Sequence, residues 1–262
     1  MLPHFLPDAT ELNALVAAFH EYFELLLANT PERQEWVFRL RYQVICEELE
    51  MPGYEHWKYP DAKEMDEDDY RAAHCLLRHR PTGKIAGTLR LILSDPDDPL
   101  KPFPIETCAS SLFYQDKIDP AKLPRRQTAE VSRFMLAREF RNRKGDEQHI
   151  FGSGEWNPNR SIPDDRRRFP HILLGLLVGL IKLCAEHNVT HCYSIVEPPL
   201  VFLLRRFKFA PVPIGPVVEY HGLRQPHFGC IPDMLARVYR QRRDLWELYT
   251  DCGNIWPAPS GC

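Results

Sequence analysis

Three polar or charged residues on one predicted strand have the side-chain types needed for proton transfer. Glu130, Ser132 and Arg133 lie in an alternating stretch, 129–136, whose pattern predicts a β-strand. Because successive side chains of a strand point to opposite faces, we expect Glu130 and Ser132 on one face and Arg133 on the other. A carboxylate in that position can accept a proton from an attacking amine, directly or through a water. The alternative is an edge strand with satisfied polar residues.

A second group of candidates is the acidic run Glu64-Met65-Asp66-Glu67-Asp68-Asp69, which places five carboxylates in six positions. Like charges at this density repel one another and are costly to bury, so a solvated loop is one interpretation. The other interpretation is that some of these side chains face a cleft, where they bind a cationic group such as a substrate amine.

Three arginines form the third candidate group. Arg39 and Arg41 lie on a predicted helix and Arg90 on a predicted strand. They are either ion pairs that fix the fold or, if they meet Asp66 and Asp69, the residues that organise the acidic loop over a site. In the second case, replacing either aspartate should lower activity more than stability.

The remaining motifs are weak or missing. Cys184, His187, His191 and Cys192 imitate a zinc spacing but straddle a helix end and a strand, so no metal site is expected. The sequence has no phosphate-binding glycine loop and no GxSxG motif. Basic runs at 138–144, 166–168 and 205–208 are either solvated faces or a docking patch for an acidic partner, and they carry no nucleic-acid-binding signature.

Composition places the chain among ordinary globular proteins. Its 262 residues carry 33 Lys and Arg against 36 Asp and Glu, and 44% are hydrophobic, which fits one large domain or two small ones. The beginning has no secretory signal, so we expect a cytoplasmic protein with reduced cysteines. The longest apolar run, 172–181, is far shorter than the roughly 20 residues of a transmembrane helix.

The first half of the chain is predicted to open with two helices and a hairpin. Apolar residues at helical spacing predict helices at about 10–28 and 32–50. Strands at 72–79 and 84–93 flank Pro81-Thr82-Gly83, a turn by composition. A loop with one short helix near Phe113 leads to the strand that carries Glu130.

The second half is predicted to alternate helices and strands. An Arg-rich insertion near 138–168 is interpreted as mobile or partner-dependent. The elements expected after it are a buried helix at 170–186, a strand at 189–196, a short helix at 200–206, a strand at 212–220 and a C-terminal helix near 232–249. This order predicts a single α/β domain over 1–262, with helices on both faces of a mixed sheet.

Four segments, taken in order, resemble motifs of the acyl-homoserine-lactone (autoinducer) synthases and their relatives, the N-acyl amino acid synthases, in the GNAT-like acyltransferase superfamily. The segments are Arg41 with Val44-Ile45 and Leu49-Glu50-Met51, then Glu64, Asp66 and Asp69 with Ala73-His74-Cys75-Leu76, then Gly87-Thr88-Leu89-Arg90-Leu91, and finally Glu130-Val131-Ser132-Arg133-Phe134. Together they cover roughly residues 36 to 136. The resemblance implies a GNAT-like mixed central sheet.

Departures from the lactone-synthase pattern indicate a particular branch. Ile45 and Met51 stand where those enzymes have the Phe and Trp that help form the S-adenosylmethionine site. The chain length, the Arg-rich segment and the apolar helix after it resemble more closely the acyltransferases associated with exosortase and PEP-CTERM protein sorting. That branch resembles N-acyl amino acid synthases, which move a long-chain acyl group from acyl carrier protein to the α-amine of an amino acid. The thioester is then a substrate, and no cofactor is implied.

The resemblance also implies roles for individual residues. Glu130 with Ser132 is the catalytic pair, and the substrate-binding residues are Arg41, Asp66, Asp69, Arg90, Arg133 and Phe134. The pantetheine arm lies between two splayed parallel strands, and the residues available to line a tunnel for the acyl chain are Phe134, Leu173, Leu177, Ile195, Phe202 and Leu203. Because acyl carrier protein is strongly acidic, its docking candidates are Arg141, Arg143, Arg166, Arg167, Arg168 and Lys208.

Two alternatives remain open. One keeps the acyltransferase chemistry but uses S-adenosylmethionine as acceptor and makes an acyl-homoserine lactone. The other is a non-catalytic module that binds an acyl chain and has a regulatory role.

Overall fold

The computed structural model describes residues 14–141, 172–219 and 222–259. Within these ranges the first half contains α1 (Ala14–Tyr22), β1 (Phe23–Leu27), α2 (Pro31–Tyr42), β2 (Ala72–His79), β3 (Ile85–Leu93), α3 (Pro104–Ala109) and β4 (Thr128–Leu136). The second half contains α4 (Leu173–Glu186), β5 (His191–Val196), α5 (Pro198–Arg206), β6 (Val212–Pro213), β7 (Val218–Glu219), β8 (Leu223–Cys230), α6 (Ile231–Gln241) and α7 (Arg243–Thr250).

The described strands form one mixed sheet in the order β1-β2-β3-β4-β5-β8-β6, with β7 paired to the start of β8. All neighbouring pairs are antiparallel except β4 and β5, which run parallel. Helices cover both faces, because α2 packs with Leu76 and Met135 on one face and α4 packs with Leu77 and Leu89 on the other. The predicted fold class, a mixed α/β sheet with helices on both faces, is confirmed.

The buried helix α4 lies unusually close to the sheet. The nine consecutive residues from Leu173 to Ile181 are all buried, and two of them are glycines. A Cβ at Gly179 would lie 2.5 Å from the Sγ of Cys75, so only glycine permits this approach. The close contact places α4 directly behind β2 and β3, where it forms the floor of the largest apolar cluster.

Two terminal boundaries differ from the predictions. The first predicted helix ends at Tyr22, and Phe23–Leu27 instead forms the edge strand β1, paired with Leu27 opposite Cys75. The five-residue run FELLL is compatible with a helix or with a strand. Its pairing with β2 makes it a strand. The predicted C-terminal helix is divided at Arg242, whose backbone is not helical, into α6 and α7.

The longest missed element is β8. The strand predicted at 212–220 is present only as the two-residue strands β6 and β7, and the extended strand is Leu223–Cys230. Pro226 and Gly229 within β8 are both unfavourable in strands, so the sequence pattern did not predict this strand. The other predicted strands and helices are present with boundaries shifted by a few residues, and the short helix expected near Phe113 is α3 together with a turn at Ser110–Leu112.

Candidate functional site

A cavity opens where β4 and β5 stop pairing. Their parallel ladder runs from Thr128 opposite His191 to Val131 opposite Ser194 and ends there, although both strands continue. The two parallel strands therefore splay apart beyond this point, as the resemblance implied. A cavity of about 270 Å³ occupies the gap and is lined by residues from both strands.

A β-bulge in β4 changes the direction of Arg133. Arg90 of β3 pairs with Ser132 and Thr88 pairs with Met135, so β4 contains one residue more than β3 over this interval. Arg133 has a left-handed backbone with φ +49°, which absorbs the extra residue. The expectation that Arg133 faces away from Ser132 was therefore wrong, because the bulge interrupts the alternation and turns Arg133 toward the acidic loop.

Glu130 is a buried carboxyl group at the edge of this cavity. It is 5% exposed, and its Oε2 accepts a hydrogen bond of 2.8 Å from the backbone N–H of Ile105 on α3. Burial raises the pKa of Glu130 to about 7, although this hydrogen bond and the charge of Arg90 oppose the rise. Near neutral pH such a group exchanges protons readily, as a general base must.

Ser132 is held in a fixed orientation two residues further along β4. Its Oγ accepts a hydrogen bond of 2.8 Å from Nε of Arg90, and it lines the same cavity as Glu130. Both side chains lie on the face of the sheet that α2 and α3 cover. The structure therefore brings the predicted catalytic pair to one cavity.

The buried half of an ion-pair network lies next to this pair. Arg41 is completely buried, and it donates to Glu64 at 2.5 Å and to Asp69 at 2.6 Å. Burial would raise the pKa of Glu64, but Arg41 and Arg133 outweigh it and lower that pKa to about 2. Burial also acts to raise the pKa of Asp69, but the charge of Arg41 and its hydrogen bond outweigh this effect. The pKa of Asp69 therefore lies well below its usual value. Both carboxyl groups are therefore charged at neutral pH.

The other half of the network reaches the cavity through Asp66. Arg90 donates to Asp66 at 2.5 Å and to Asp69 at 3.0 Å, while Arg133 donates to Asp66 at 3.0 Å and to Glu64 at 2.7 Å. The Asp66 side chain is 36% exposed, whereas those of Glu64 and Asp69 are at most 1% exposed. Asp66 is thus the carboxylate of the network that a bound cation can contact.

The acidic run is therefore not simply a solvated loop. Glu64 and Asp69 are buried anchors, and Asp66 and Asp68 line the cavity. Asp68 also pairs with Arg71 at 2.8 Å. Of the two alternatives for the arginines, the structure has the one in which they meet the acidic run: Asp69 pairs with Arg41 and Arg90, and Asp66 pairs with Arg90 and Arg133. Arg39 takes no part, because it is exposed and pairs with Glu35 on its own helix.

The cavity continues on the opposite face of the sheet, where its lining becomes apolar. Val131 and Phe134 pack there against the cluster built on α4. The apolar residues that line this side are Leu177, Leu180, Cys192, Val196, Leu200, Leu204, Phe209, Ile231 and Met234. We call it the apolar chamber, and the side lined by Asp66, Asp68, Arg90, Glu130 and Ser132 the polar chamber. The two chambers meet in the gap between β4 and β5.

The residues suggested for an acyl-chain tunnel divide into three groups. Phe134, Leu177 and Ile195 line the cavity. Leu173 and Leu203 are buried in the core without being part of its lining. Phe202 is 68% exposed on the outer side of α5, so it does not belong to the chamber.

The suggested docking residues are largely outside the described ranges. Arg143, Arg166, Arg167 and Arg168 lie there. Arg141 is 7% exposed and pairs with Glu48, so it does not contribute to an exposed basic surface. Lys208 follows α5 and is half-buried.

Other residues at the cavity carried no recognisable sequence signal. Glu197 and Arg224 form an ion pair of 3.2 Å at the end where β5 finishes. Because β8 was not predicted, nothing in the sequence indicated that Arg224 would meet Glu197. Asp68 was visible within the acidic run but was not singled out.

Across 14–141, 172–219 and 222–259, no group of three or more His, Cys, Asp or Glu side chains is placed to hold a metal ion. No helix in the described part of the chain combines the length and apolar character needed to cross a bilayer.

Comparisons with known proteins agree with this architecture. Residues 40–150 match the model of the acetyltransferase (GNAT) domain family. No curated protein matches the chain. Among solved structures, the chain is similar to TofI in a ternary complex with an inhibitor and MTA, with 16% identity and a TM-score of 0.55 over 85% of this chain and 96% of that chain.

Two further structures are similar to the chain. One is BjaI, a CoA-dependent acyl-homoserine lactone synthase with SAM and isopentyl-CoA, with 18% identity and a TM-score of 0.52 over 90% of each chain. The other is FeeM, an N-acyl amino acid synthase from uncultured soil microbes, with 11% identity and a TM-score of 0.49 over 84% of this chain and 96% of that chain. TofI and BjaI establish that the fold extends well beyond the segment matched by the family model. Residues 40–150 thus match a GNAT acetyltransferase domain, and the chain as a whole shares its fold with TofI and BjaI.

Proposed function

We propose that the protein is an acyltransferase, specifically an N-acyl amino acid synthase, which transfers a long-chain acyl group from acyl carrier protein to the α-amine of an amino acid. The observation that carries the proposal is the cavity with two chambers. Carboxylates and a buried Glu130 line one side, apolar side chains line the other, and the two sides join between β4 and β5. This arrangement suits a reaction between an amine and a fatty acyl group.

The polar chamber supports activation of the amine. An amino acid arrives with a protonated α-amine, which Asp66 and Asp68 attract. Glu130 removes a proton, directly or through a water, and the nitrogen lone pair attacks the thioester carbonyl. The new C–N bond forms, the C–S bond breaks, and the pantetheine sulfur leaves as a thiolate that takes up the second proton lost by the nitrogen. Ser132, oriented by Arg90, lies beside this path.

The apolar chamber supports a long acyl chain on the donor. Its lining removes the chain from water, which contributes about 0.8 kcal/mol per buried methylene. Basic side chains near α5, including Arg205 and Lys208, offer charge complementarity to an acidic carrier. Arg166, Arg167 and Arg168 remain docking candidates by sequence.

An amino acid is the acceptor that we favour over S-adenosylmethionine. Ile45 and Met51, together with Tyr54, line the polar chamber beside Asp66. They are the residues that stand in place of the Phe and Trp of the lactone-synthase pattern. At positions 45 and 51 an adenine ring therefore finds no aromatic face to stack on and is left with Tyr54 alone, whereas the non-aromatic side chains there suit the side chain of an amino acid.

Asp66→Asn should reduce activity much more than stability. Asp66 is partly exposed at the cavity, and its loss removes a charged partner of the incoming ammonium, a contact of about 1.5–3 kcal/mol. We expect kcat/KM for the amino acid to fall about 10- to 100-fold while the midpoint of urea unfolding changes little. Glu35→Gln is the matched control, since Glu35 is an exposed carboxylate paired with Arg39 away from the cavity. An equal loss of activity in both variants would contradict the role of Asp66.

The direct test of the proposed function is product analysis. The full-length protein is incubated with long-chain acyl carrier protein and a mixture of the amino acids, and N-acyl amino acids are sought by mass spectrometry. We expect one or a few N-acyl amino acids that depend on both the enzyme and the thioester. A parallel incubation contains S-adenosylmethionine instead. Methylthioadenosine release there, with no N-acyl amino acid in the first incubation, would refute the proposal in favour of lactone synthesis.

A further inference from the structure

The apolar chamber has a closed end formed by two strands and one helix. Cys192 of β5 lies opposite Gly229 of β8 in the antiparallel ladder, and Met234 of α6 packs over this pair. All three line the cavity. Next to Met234, Leu235 is 1% exposed and Val238 is completely buried, so the helix beyond Met234 is packed in the core.

Gly229 is the residue that lets Met234 lie against the strand. A Cβ at position 229 would lie 2.6 Å from the Sδ of Met234, which is closer than such atoms approach. A glycine within a strand often marks such a close approach. Met234 is 4% exposed, and its unbranched thioether adapts to the space available. The Met234 side chain therefore forms the wall at the closed end.

The closed end is far from the entrance along both strands. Gly229 lies five positions after Arg224 on β8, and Cys192 lies five positions before Glu197, the residue that follows β5. At about 3.3 Å per residue, each path gives a depth of about 17 Å. The Glu197–Arg224 ion pair lies at the end where the strands are splayed, and Met234 lies at the other. A chain that enters between the splayed strands thus reaches Met234 at the deep end, where Ile231 of the same helix also lines the cavity.

We propose that Met234, held in place by Gly229, sets the longest acyl chain that the protein accepts. This inference rests on the apolar chamber being the acyl site of the proposed function. A chain whose terminal methyl reaches Met234 fills the chamber. A longer chain must displace packed side chains, and such overpacking is unfavourable in a closed core.

Met234→Ala tests the proposal through binding, which requires no acyl transfer. Saturated fatty acids of graded length are titrated into the full-length protein by isothermal calorimetry. We expect the preferred length to increase by about two carbons, because the space left by the truncation relaxes only in part. Affinity for the acid two carbons beyond the wild-type optimum should rise about tenfold, from two additional buried methylenes.

Leu235→Ala is the matched control, since Leu235 neighbours Met234, is equally buried and does not line the cavity. It should leave the preferred length unchanged. Met234→Val, a smaller truncation, should give an intermediate shift if Met234→Ala does not fold. An unchanged preference in the folded Met234 variants, the same shift in Leu235→Ala, or no fatty acid binding to the wild type would each overturn the proposal. Binding that responds to Met234 without any acyl transfer would support it and reject the proposed function.

Discussion

Glu130→Gln should lower kcat by roughly 100- to 10,000-fold, the range for loss of a general base. Gln has nearly the same shape, and its amide oxygen can still accept the 2.8 Å hydrogen bond from Ile105. The substitution therefore removes proton acceptance and little else. Steady-state kinetics with acyl carrier protein thioester and the amino acid identified as acceptor would measure the effect, and a kcat within a few-fold of the wild type would refute the assigned role.

The pH dependence of the wild type provides an independent check. Burial raises the pKa of Glu130 to about 7, and a base acts only when it is deprotonated. Activity should therefore increase as the pH rises through about 7. In Glu130→Gln the residual activity should lack this step. A wild-type profile that is flat between pH 6 and 8 would contradict the assignment of Glu130 as the base.

The same shift makes an opposite prediction for stability. A carboxyl group with a raised pKa stabilises the fold below its unfolded value of 4.5, and this contribution is lost as the pH rises through about 7. The wild type should thus lose stability over that interval relative to Glu130→Gln. Equal or greater stability of the variant at pH 8, combined with its low turnover, separates catalysis from folding. A non-catalytic acyl-chain-binding module would instead show ligand binding in both proteins and turnover in neither.

Asp69→Asn should destabilise the fold by about 3–5 kcal/mol, the cost of removing one partner from a buried ion pair. Asp69 accepts hydrogen bonds from Arg41 and Arg90, and its side chain is completely buried. The substitution leaves three arginines against two carboxylates in the network. Urea unfolding followed by circular dichroism would measure the loss as a lower midpoint.

Asp68→Asn is the control for this measurement. Asp68 is the neighbouring carboxylate, its side chain is 27% exposed, and its partner Arg71 can still reach the backbone oxygen of Pro102. We expect a loss below about 1 kcal/mol, because Asp68 is partly solvated and Arg71 keeps its backbone partner. The lowered pKa of Asp69 means that its contribution is present above its unfolded value of 3.8 and is lost as the pH falls. The difference in the free energy of unfolding between the wild type and Asp69→Asn should therefore become smaller in acid. A difference that does not change with pH would contradict the ion-pair explanation.

These expectations refine what the sequence predicted for the acidic run. Asp66 and Asp69 were expected to behave alike, with activity more sensitive than stability. Their burial separates them, because Asp69 anchors the loop while Asp66 faces the cavity. The two carboxylates are only three positions apart, and the sequence does not indicate which of them is buried, since that depends on where Arg41 and Arg90 lie in the folded protein.

The local sequence was sufficient to predict the elements in which hydrophobic pattern, turn residues and burial all indicate the same structure. The hairpin of β2 and β3 has apolar strands and a turn with Gly83 at φ +69°, and α4 is apolar almost throughout. β8 and the bulge at Arg133 were not predictable in this way. Strand β8 forms despite Pro226 because it pairs with its neighbouring strands. The bulge at Arg133 arises from the register between β3 and β4, which the sequence of either strand alone does not determine.

The alternation of side chains across β4 has a consequence for how the protein could diversify. Glu130 and Ser132 contribute to the polar chamber, and Val131 and Phe134 contribute to the apolar one. Under the proposed function, neighbouring positions in the same strand therefore contact different substrates. Substitutions in one chamber should then change the preference for the nitrogen-bearing acceptor or for the acyl donor and leave the other preference intact.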